Sequence, residues 1–291
     1  MKLLRYGPKG QEKPGLLDEE GRIRDLSDKI NDIDGAFLAS DRLAQITKLE
    51  MDSLPLVEGT TRLGPPGAGV GKIIAVGINY AAHGEEAKID IPEQPILFSK
   101  AVTSLSGPND PVVLPKDSVK GDWEVELAVI IGRKAQYVEQ ADALDVIAGY
   151  SIINDVSERE FQLERCGQWV KGKSFDTFAP LGPWLVPPDE VPNPRNLKLW
   201  LDVNNTRRQD ANTSDMIFGV RHLVSDISRY MTLLPGDVIA TGTPPGVGLG
   251  HEPPVFLKPG DVMRLGVEGL GDHLRPTYVQ VFVYTPLSPP G

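Results

Sequence analysis

Three acids spaced two residues apart, Asp122, Glu124 and Glu126, alternate with Trp123, Val125 and Leu127 at the head of an apolar run that continues to Ile131. Side chains alternate across a strand, so a strand here places the acids on one face and the apolar residues on the other. Neighbouring carboxylates repel one another, which leaves two readings of that face: well hydrated, or occupied by a cation. Asp155 closes a second β-prone run, 149–154. If that run neighbours the first, Glu124, Glu126 and Asp155 make an all-oxygen set suited to a hard divalent ion such as Mg²⁺ or Mn²⁺, less often Ca²⁺. A solvated acidic face is the ordinary alternative on an antiparallel sheet, and the pattern alone leaves both open.

Other side chains could work beside such a cluster. His83 and Glu86 lie three apart in a polar stretch after the β-prone run 72–77, which predicts a loop over 78–86 and a mobile segment to Gln94. A carboxylate beside an imidazole orients it and makes it more basic, as a general base requires; an exposed loop histidine is the plain alternative. Arg159 and Gln162 lie three apart within 156–165, predicted helical, and there share a face close to Asp155. They could meet substrate oxygens or pair with nearby glutamates. Lys173 sits in a run, 170–175, that reads as extended, where it could offset negative charge near a metal pocket or simply face solvent. The turn over 241–248 is rich in glycine and threonine, so its N–H groups and hydroxyls could hold a carboxylate. It lacks Gly-Lys-Ser/Thr, which disfavours nucleotide binding. His222 falls within a predicted helix, 220–233, and reads as a surface or packing residue.

The elements that must position these groups are short. Thirty glycines and 26 prolines are spread along 291 residues, marking many turns and a β-rich chain. Residues 1–26 predict a small antiparallel unit. A short amphipathic helix over 40–50 follows, with Ser40 as N-cap and Leu43, Ile46 and Leu49 at helical spacing. The Gly/Pro-rich stretch 54–71 divides a small N-terminal α/β module, 1–66, from a main domain, 67–285. A helix is predicted over 139–148, strands over 197–203 and after Pro235, and another after Pro259. Forty acidic against 30 basic residues give a net charge of −10, which argues against nucleic acid or an anionic membrane as partner. The single cysteine cannot form an internal disulfide, the first residues lack the apolar core of a signal peptide, and no apolar run approaches the roughly 20 residues of a membrane span. The expected location is the cytoplasm.

The motifs also occur in a telling order. Gly77-x-Asn79-Tyr80 precedes His83 and Glu86; then come Glu124-x-Glu126, Asp155 with Arg159 and Gln162, Lys173-Ser-Phe, and Thr241-Gly-Thr243-Pro-x-Gly-Val-Gly. Over residues 70 to 270 this resembles the fumarylacetoacetate hydrolase family. The resemblance implies an α+β, β-rich fold, the family's mixed β-sandwich roll with a small N-terminal module. It further implies bound Mg²⁺ or Mn²⁺, a homodimer or higher homo-oligomer, and a small-molecule 2-keto-acid substrate. Carried over by position, Glu124, Glu126 and Asp155 would be the metal ligands, His83 and Glu86 the pair that activates water, and Lys173 the active-site lysine. Gly242 and Thr243 would hold the substrate carboxylate, with Arg159 and Gln162 facing the substrate. The implied activity is hydrolysis of a carbon–carbon bond in a 2,4-diketo acid. The N-terminal wording and the segments 154–159 and 167–173 are similar to the bacterial subgroup acting on diketo-deoxy sugar acids. The family also holds oxaloacetate decarboxylases, acylpyruvases, dienedioate isomerases and members labelled ureidoglycolate lyases. A metal-stabilised binding protein without turnover is the non-enzymatic alternative, against which the presence of both His83 and Glu86 speaks.

Overall fold

The computed structural model describes residues 1–40, 42–46, 48–271 and 277–283. Strands β1 (Lys2–Tyr6), β2 (Lys13–Leu17) and β3 (Ile23–Asp25) form the antiparallel unit read in the sequence. Short helices α1 (Gly35–Leu38) and α2 (Arg42–Ile46) follow; the Ser40 hydroxyl accepts from Arg42 N–H at 3.3 Å, as its place before the helix predicts. Next come β4 (Leu63–Gly64), β5 (Ile73–Gly77), α3 (Ala81–Ala87), β6 (Ile96–Lys100), β7 (Leu105–Ser106) and β8 (Val112–Leu114). The acidic region contributes β9 (Gly121–Asp122), β10 (Val125–Ile131), β11 (Ile147–Asn154) and β12 (Ser157–Glu158). Then follow α4 (Val170–Lys173), β13 (Ala179–Val186), β14 (Lys198–Val203), β15 (Thr206–Asn212), α5 (Val220–Tyr230), β16 (Val238–Ala240), β17 (Val262–Val267) and β18 (Thr277–Val283).

The larger sheet runs β3-β2-β1-β13-β11-β10-β16-β5-β6, with β4 added on β1 and β7 on β13. A second sheet, β15-β14-β17-β18-β8, packs against it, and β12 pairs with β9 as a small ribbon. The fold is therefore the β-rich α+β arrangement expected. The 66/67 position falls between β4 and β5, and β1 bonds to β13 across it, with Leu3 opposite Leu185.

Alternation along β10 sorts the interior into layers. Val125, Leu127, Val129 and Ile131 face the second sheet and pack with Leu199, Leu201, Met263 and Leu265 and with Leu223, Val224 and Ile227 of α5. On the opposite side Ala128 packs with Ala75, Ala179 and Ala240, and Ile130 with Leu3, Leu16 and Phe37 of the N-terminal strands and α1. This strand is buried on both faces, and its acids occupy one end.

Several predicted elements change under tertiary contacts. Residues 139–148 are not a helix: only Ala143–Val146 make a 3₁₀ turn, and Ile147 is drawn into β11 opposite Ile131. The predicted loop 78–86 winds into α3, burying His83 and Gly84. Residues 156–165 are helical only over Glu160–Glu164, as a single π-turn, because Ser157 and Glu158 pair with β9. The run read as extended near Lys173 is α4. The 122–127 strand breaks at Trp123–Glu124, splitting β9 from β10. No helix among the described residues is long and apolar enough to cross a membrane.

Asn79 ties the site-bearing end of the larger sheet together. Its buried amide donates to Thr241 O at 2.7 Å and Phe218 O at 3.0 Å, and its Oδ1 accepts from Phe218 N–H at 2.8 Å. Asn79→Ala strands these backbone groups away from water, which should cost about 3 kcal/mol in urea unfolding. A loss below ~1 kcal/mol would show that water replaces the amide.

Candidate active site

Two antiparallel strands place the acids. Val125 of β10 stands opposite Asn154 of β11, so Glu124 and Asp155 meet just beyond the pair. Asp155 N–H donates to Glu124 O at 2.9 Å, and Glu124 N–H donates to Asn154 Oδ1 at 3.0 Å. Glu126 follows on the same face. Carboxylate oxygens of Glu124, Glu126 and Asp155 lie within 4.8 Å of one another, and all three residues are buried. Burial removes the hydrated-face reading.

Asp122 does not join them. It accepts from Gly248 N–H at 2.6 Å and Leu249 N–H at 3.0 Å, and from Arg159 Nε at 2.8 Å. The expectation of three acids on one continuous face is corrected accordingly. The break after Asp122 turns this carboxylate to the glycine-rich turn, where it orders the loop.

Three cations face the four acids. Lys173 Nζ donates to Glu124 Oε2 at 2.8 Å and Asp155 Oδ2 at 2.7 Å. Lys100 Nζ donates to Asp155 Oδ1 at 2.5 Å and to Val156 O at 3.2 Å. Arg159 Nη2 forms an ion pair with Glu124 Oε1 at 2.7 Å. Burial pushes the Glu124 carboxyl up, but Lys173 and Arg159 outweigh it and hold the group below its ordinary range. Burial likewise lowers both lysines. Asp155 and Glu124 reverse this for Lys173, whereas Lys100 stays below the usual range. Glu126 is pushed well up, by burial first and then by Asp155 and Glu124; the Gly242 N–H at 2.7 Å only partly relieves it.

Lys100, Lys173 and Arg159 are paired with Asp155, Glu124 and Asp122, and Glu126 is held by the Gly242 N–H. Three of the acids offer hard oxygen donors converging on one point. This donor set fits a divalent cation such as Mg²⁺ or Mn²⁺, which Glu124, Glu126 and Asp155 could hold.

A cleft opens beside the cluster. His83, Glu86, Glu124, Arg159, Gln162 and Lys173 line it, together with Thr243. His83 Nδ1 lies 3.2 Å from Glu86 Oε2, and Glu86 in turn accepts from Gly246 N–H at 2.9 Å. Gly246 has φ +102°, and a Cβ there would sit 1.9 Å from Arg208 O, so only glycine lets this N–H reach the acid. Arg159 Nη1 donates to Gln162 Oε1 at 3.0 Å, uniting the two residues expected to face substrate.

Gly242 and Thr243 sit differently from expectation. Gly242 spends its N–H on Glu126, and the Thr243 hydroxyl donates to Val125 O at 3.0 Å while accepting from Gln209 Nε2 at 2.8 Å. Both brace the acidic strand, and neither the Gly242 N–H nor the Thr243 hydroxyl is free to hold a substrate carboxylate in this arrangement.

Lys100 was not anticipated. Its signal was parity: in β6 it shares a face with Ile96 and Phe98, an inward position for a lysine.

Residues 72–275 match the family model described as fumarylacetoacetate (FAA) hydrolase C-terminal. A Burkholderia orbicola (strain MC0-3) protein, described no further than as a hydrolase, is 56% identical over 278 residues, covering 95% of this chain and 99% of its own. A fumarylacetoacetate hydrolase structure from Exiguobacterium antarcticum superposes with TM-score 0.83 at 35% identity, covering 98% of this chain and all of that one. The maleylpyruvate hydrolase of Sphingobium sp. SYK-6, in complex with manganese(II) and pyruvate, gives 0.81 at 31% identity with the same coverage.

The charge balance makes a signed prediction. Lys100→Met leaves Asp155 Oδ1 without its buried cation, with Lys173 remaining only on Oδ2, so the metal-free protein should lose about 3 kcal/mol of stability. Saturating Mn²⁺ should then raise Tm more in Lys100→Met than in wild type, because the ion supplies the missing positive charge. Equal Mn²⁺-induced shifts in thermal melts would exclude this account.

Proposed function

This chain belongs to the fumarylacetoacetate hydrolase family, and from that premise we propose that it is a divalent-metal-dependent hydrolase of 2,4-diketo acids, taking 2,4-diketo-3-deoxy-L-rhamnonate to pyruvate and L-lactate. One observation carries the reading: Glu124 of the buried three-carboxylate set lines the same cleft as an acid-oriented histidine. The manganese and pyruvate in the maleylpyruvate hydrolase relative support the same class of chemistry.

Glu124, Glu126 and Asp155 hold the ion, which when bound supplies a Lewis acid toward the 2-keto-acid end of the substrate. His83 acts on water. With Nδ1–H given to Glu86, the Nε2 lone pair takes a proton from a water molecule. The water oxygen bonds to the 4-keto carbon, and the bond between that carbon and C3 breaks with its electron pair remaining on C3. The proton held by His83 is returned to C3, so pyruvate leaves as the keto acid and the distal acyl group as a carboxylic acid. Lys173 keeps positive charge beside the enolate as it forms. Glu86 stabilises the protonated imidazole, and Gly246 fixes Glu86. Arg159 is spent on acids, but its bond to Gln162 Oε1 orients the Gln162 amide so that its N–H₂ can donate to a substrate oxygen.

The test is pyruvate release from 2,4-diketo-3-deoxy-L-rhamnonate, with Mn²⁺ and with EDTA. Turnover should require the metal, and His83→Ala should lower kcat by about 10²–10⁴-fold while calorimetric Mn²⁺ binding is retained. Loss of CO₂ from oxaloacetate without hydrolysis of the diketo acid would favour a decarboxylase. Mn²⁺ binding with no turnover of either would favour a binding protein.

A further inference from the structure

The charged end of the cleft continues into a wall of a different kind. The cleft lining also includes the apolar side chains Ile89, Phe98, Leu163, Trp169, Val247 and Leu249, of which Phe98 borders the charged end, with Lys173 Nζ 5.1 Å from its ring centroid. Trp169 packs edge-on against Phe98 with ring centroids 5.2 Å apart, and it lies over Gly77, where a Cβ would come within 2.4 Å of the indole. The indole is therefore seated against β5 and β6 as part of the wall. Leu163 and Ile89 are 42% and 40% exposed, carrying the apolar surface out to the rim.

The cations that line the cleft are already committed. Arg159 gives Nε to Asp122 and Nη1 to Gln162, and its Nη2 forms an ion pair with Glu124. Lys173 is shared between Glu124 and Asp155. Lys88 and Lys171, the lysines nearest in sequence to Ile89 and Trp169, are exposed and outside the lining, and Lys171 Nζ donates to Arg165 O at 3.1 Å. Arg165 pairs with Glu160. Among the described residues of the lining, then, the distal end presents carbon. A second carboxylate placed there would shed water without gaining a cation, and that desolvation is unfavourable.

We propose that the substrates of this chain carry a single carboxylate, at the 2-keto end, with an uncharged distal acyl group, and that the apolar wall discriminates against 2,4-diketo acids bearing a second, distal carboxylate. This rests on the 2,4-diketo-acid reading above, whose named substrate is itself a monocarboxylate, and adds the exclusion of dicarboxylic members and the side chains that impose it. Leu163 and Trp169 are then specificity-determining, acting on the distal group rather than on the bond that breaks.

A matched pair of probes tests the proposal on the Mn²⁺-loaded protein: 2,4-dioxoheptanoate and 2,4-dioxoheptanedioate, which differ only in the distal terminus. The monocarboxylate should be cleaved with at least about tenfold higher kcat/KM, equivalent to ~1.4 kcal/mol. Calorimetry with 2-oxohexanoate and 2-oxohexanedioate, which lack the 4-keto group, reads the same preference without turnover. Leu163→Arg, a change at an exposed rim position, should shift both ratios toward the dicarboxylate. Equal or better cleavage or binding of the dicarboxylates overturns the proposal, as does a Leu163→Arg protein with unchanged ratios. If the binding preference holds while neither diketo acid is cleaved, the selectivity stands and the hydrolase reading falls. If both are cleaved equally, the hydrolase reading stands and the selectivity falls.

Discussion

Buried like charges must be compensated, and much of the structure around the site follows from that requirement. Glu124, Glu126 and Asp155 are held together away from water, where each raises the free energy of the others. Partners arrive from separate elements: Lys100 from β6, Lys173 from α4, and Arg159 from the head of the π-turn. Each cation is aimed at an acid by its own backbone element. A shift of any one of them would leave a charge unpaired, so the sheet, the short helix and the turn are energetically bound to a single arrangement. Glu126, which forms no ion pair with these cations, completes with Glu124 and Asp155 the oxygen set that suits a divalent ion.

Backbone N–H groups supply the rest of the compensation. The glycine-rich segment after β16 gives Gly242 N–H to Glu126, Gly246 N–H to Glu86, and Gly248 and Leu249 N–H to Asp122. These donors neutralise nothing in net terms, yet they orient three acids at little conformational cost, since the turn is itself pinned against β15 at Arg208. Roles divide along this segment. Asp122 serves the loop, Glu86 serves the histidine, and Glu126 serves the ion site.

The cleft inherits its polarity from this construction. The cations that line it are drawn toward the carboxylate cluster and Glu86 toward His83, and the rest of the lining is largely aromatic and aliphatic. Relatives of about one-third identity superpose over 98% of the chain.

Much was legible in the sequence, for reasons that are local. The apolar run to Ile131, strict alternation in 197–203, helical spacing in α5, and the Asn204-Asn205 turn with positive φ at both residues report directly on backbone periodicity. The Glu124, Glu126 and Asp155 set was readable as a pattern, and the ordered motifs identified the family. Tertiary structure decided what depends on pairing and burial. It drew 147–148 out of a predicted helix into β11, wound 81–87 around a buried His83, and broke the acidic strand so that Asp122 left the cluster. It brought in Lys100, whose role depends on an aspartate 55 residues away, and it spent Gly242 and the Thr243 hydroxyl on the strand. A sequence states which charges a chain carries; only the folded arrangement decides which of them are taken from water and must find one another.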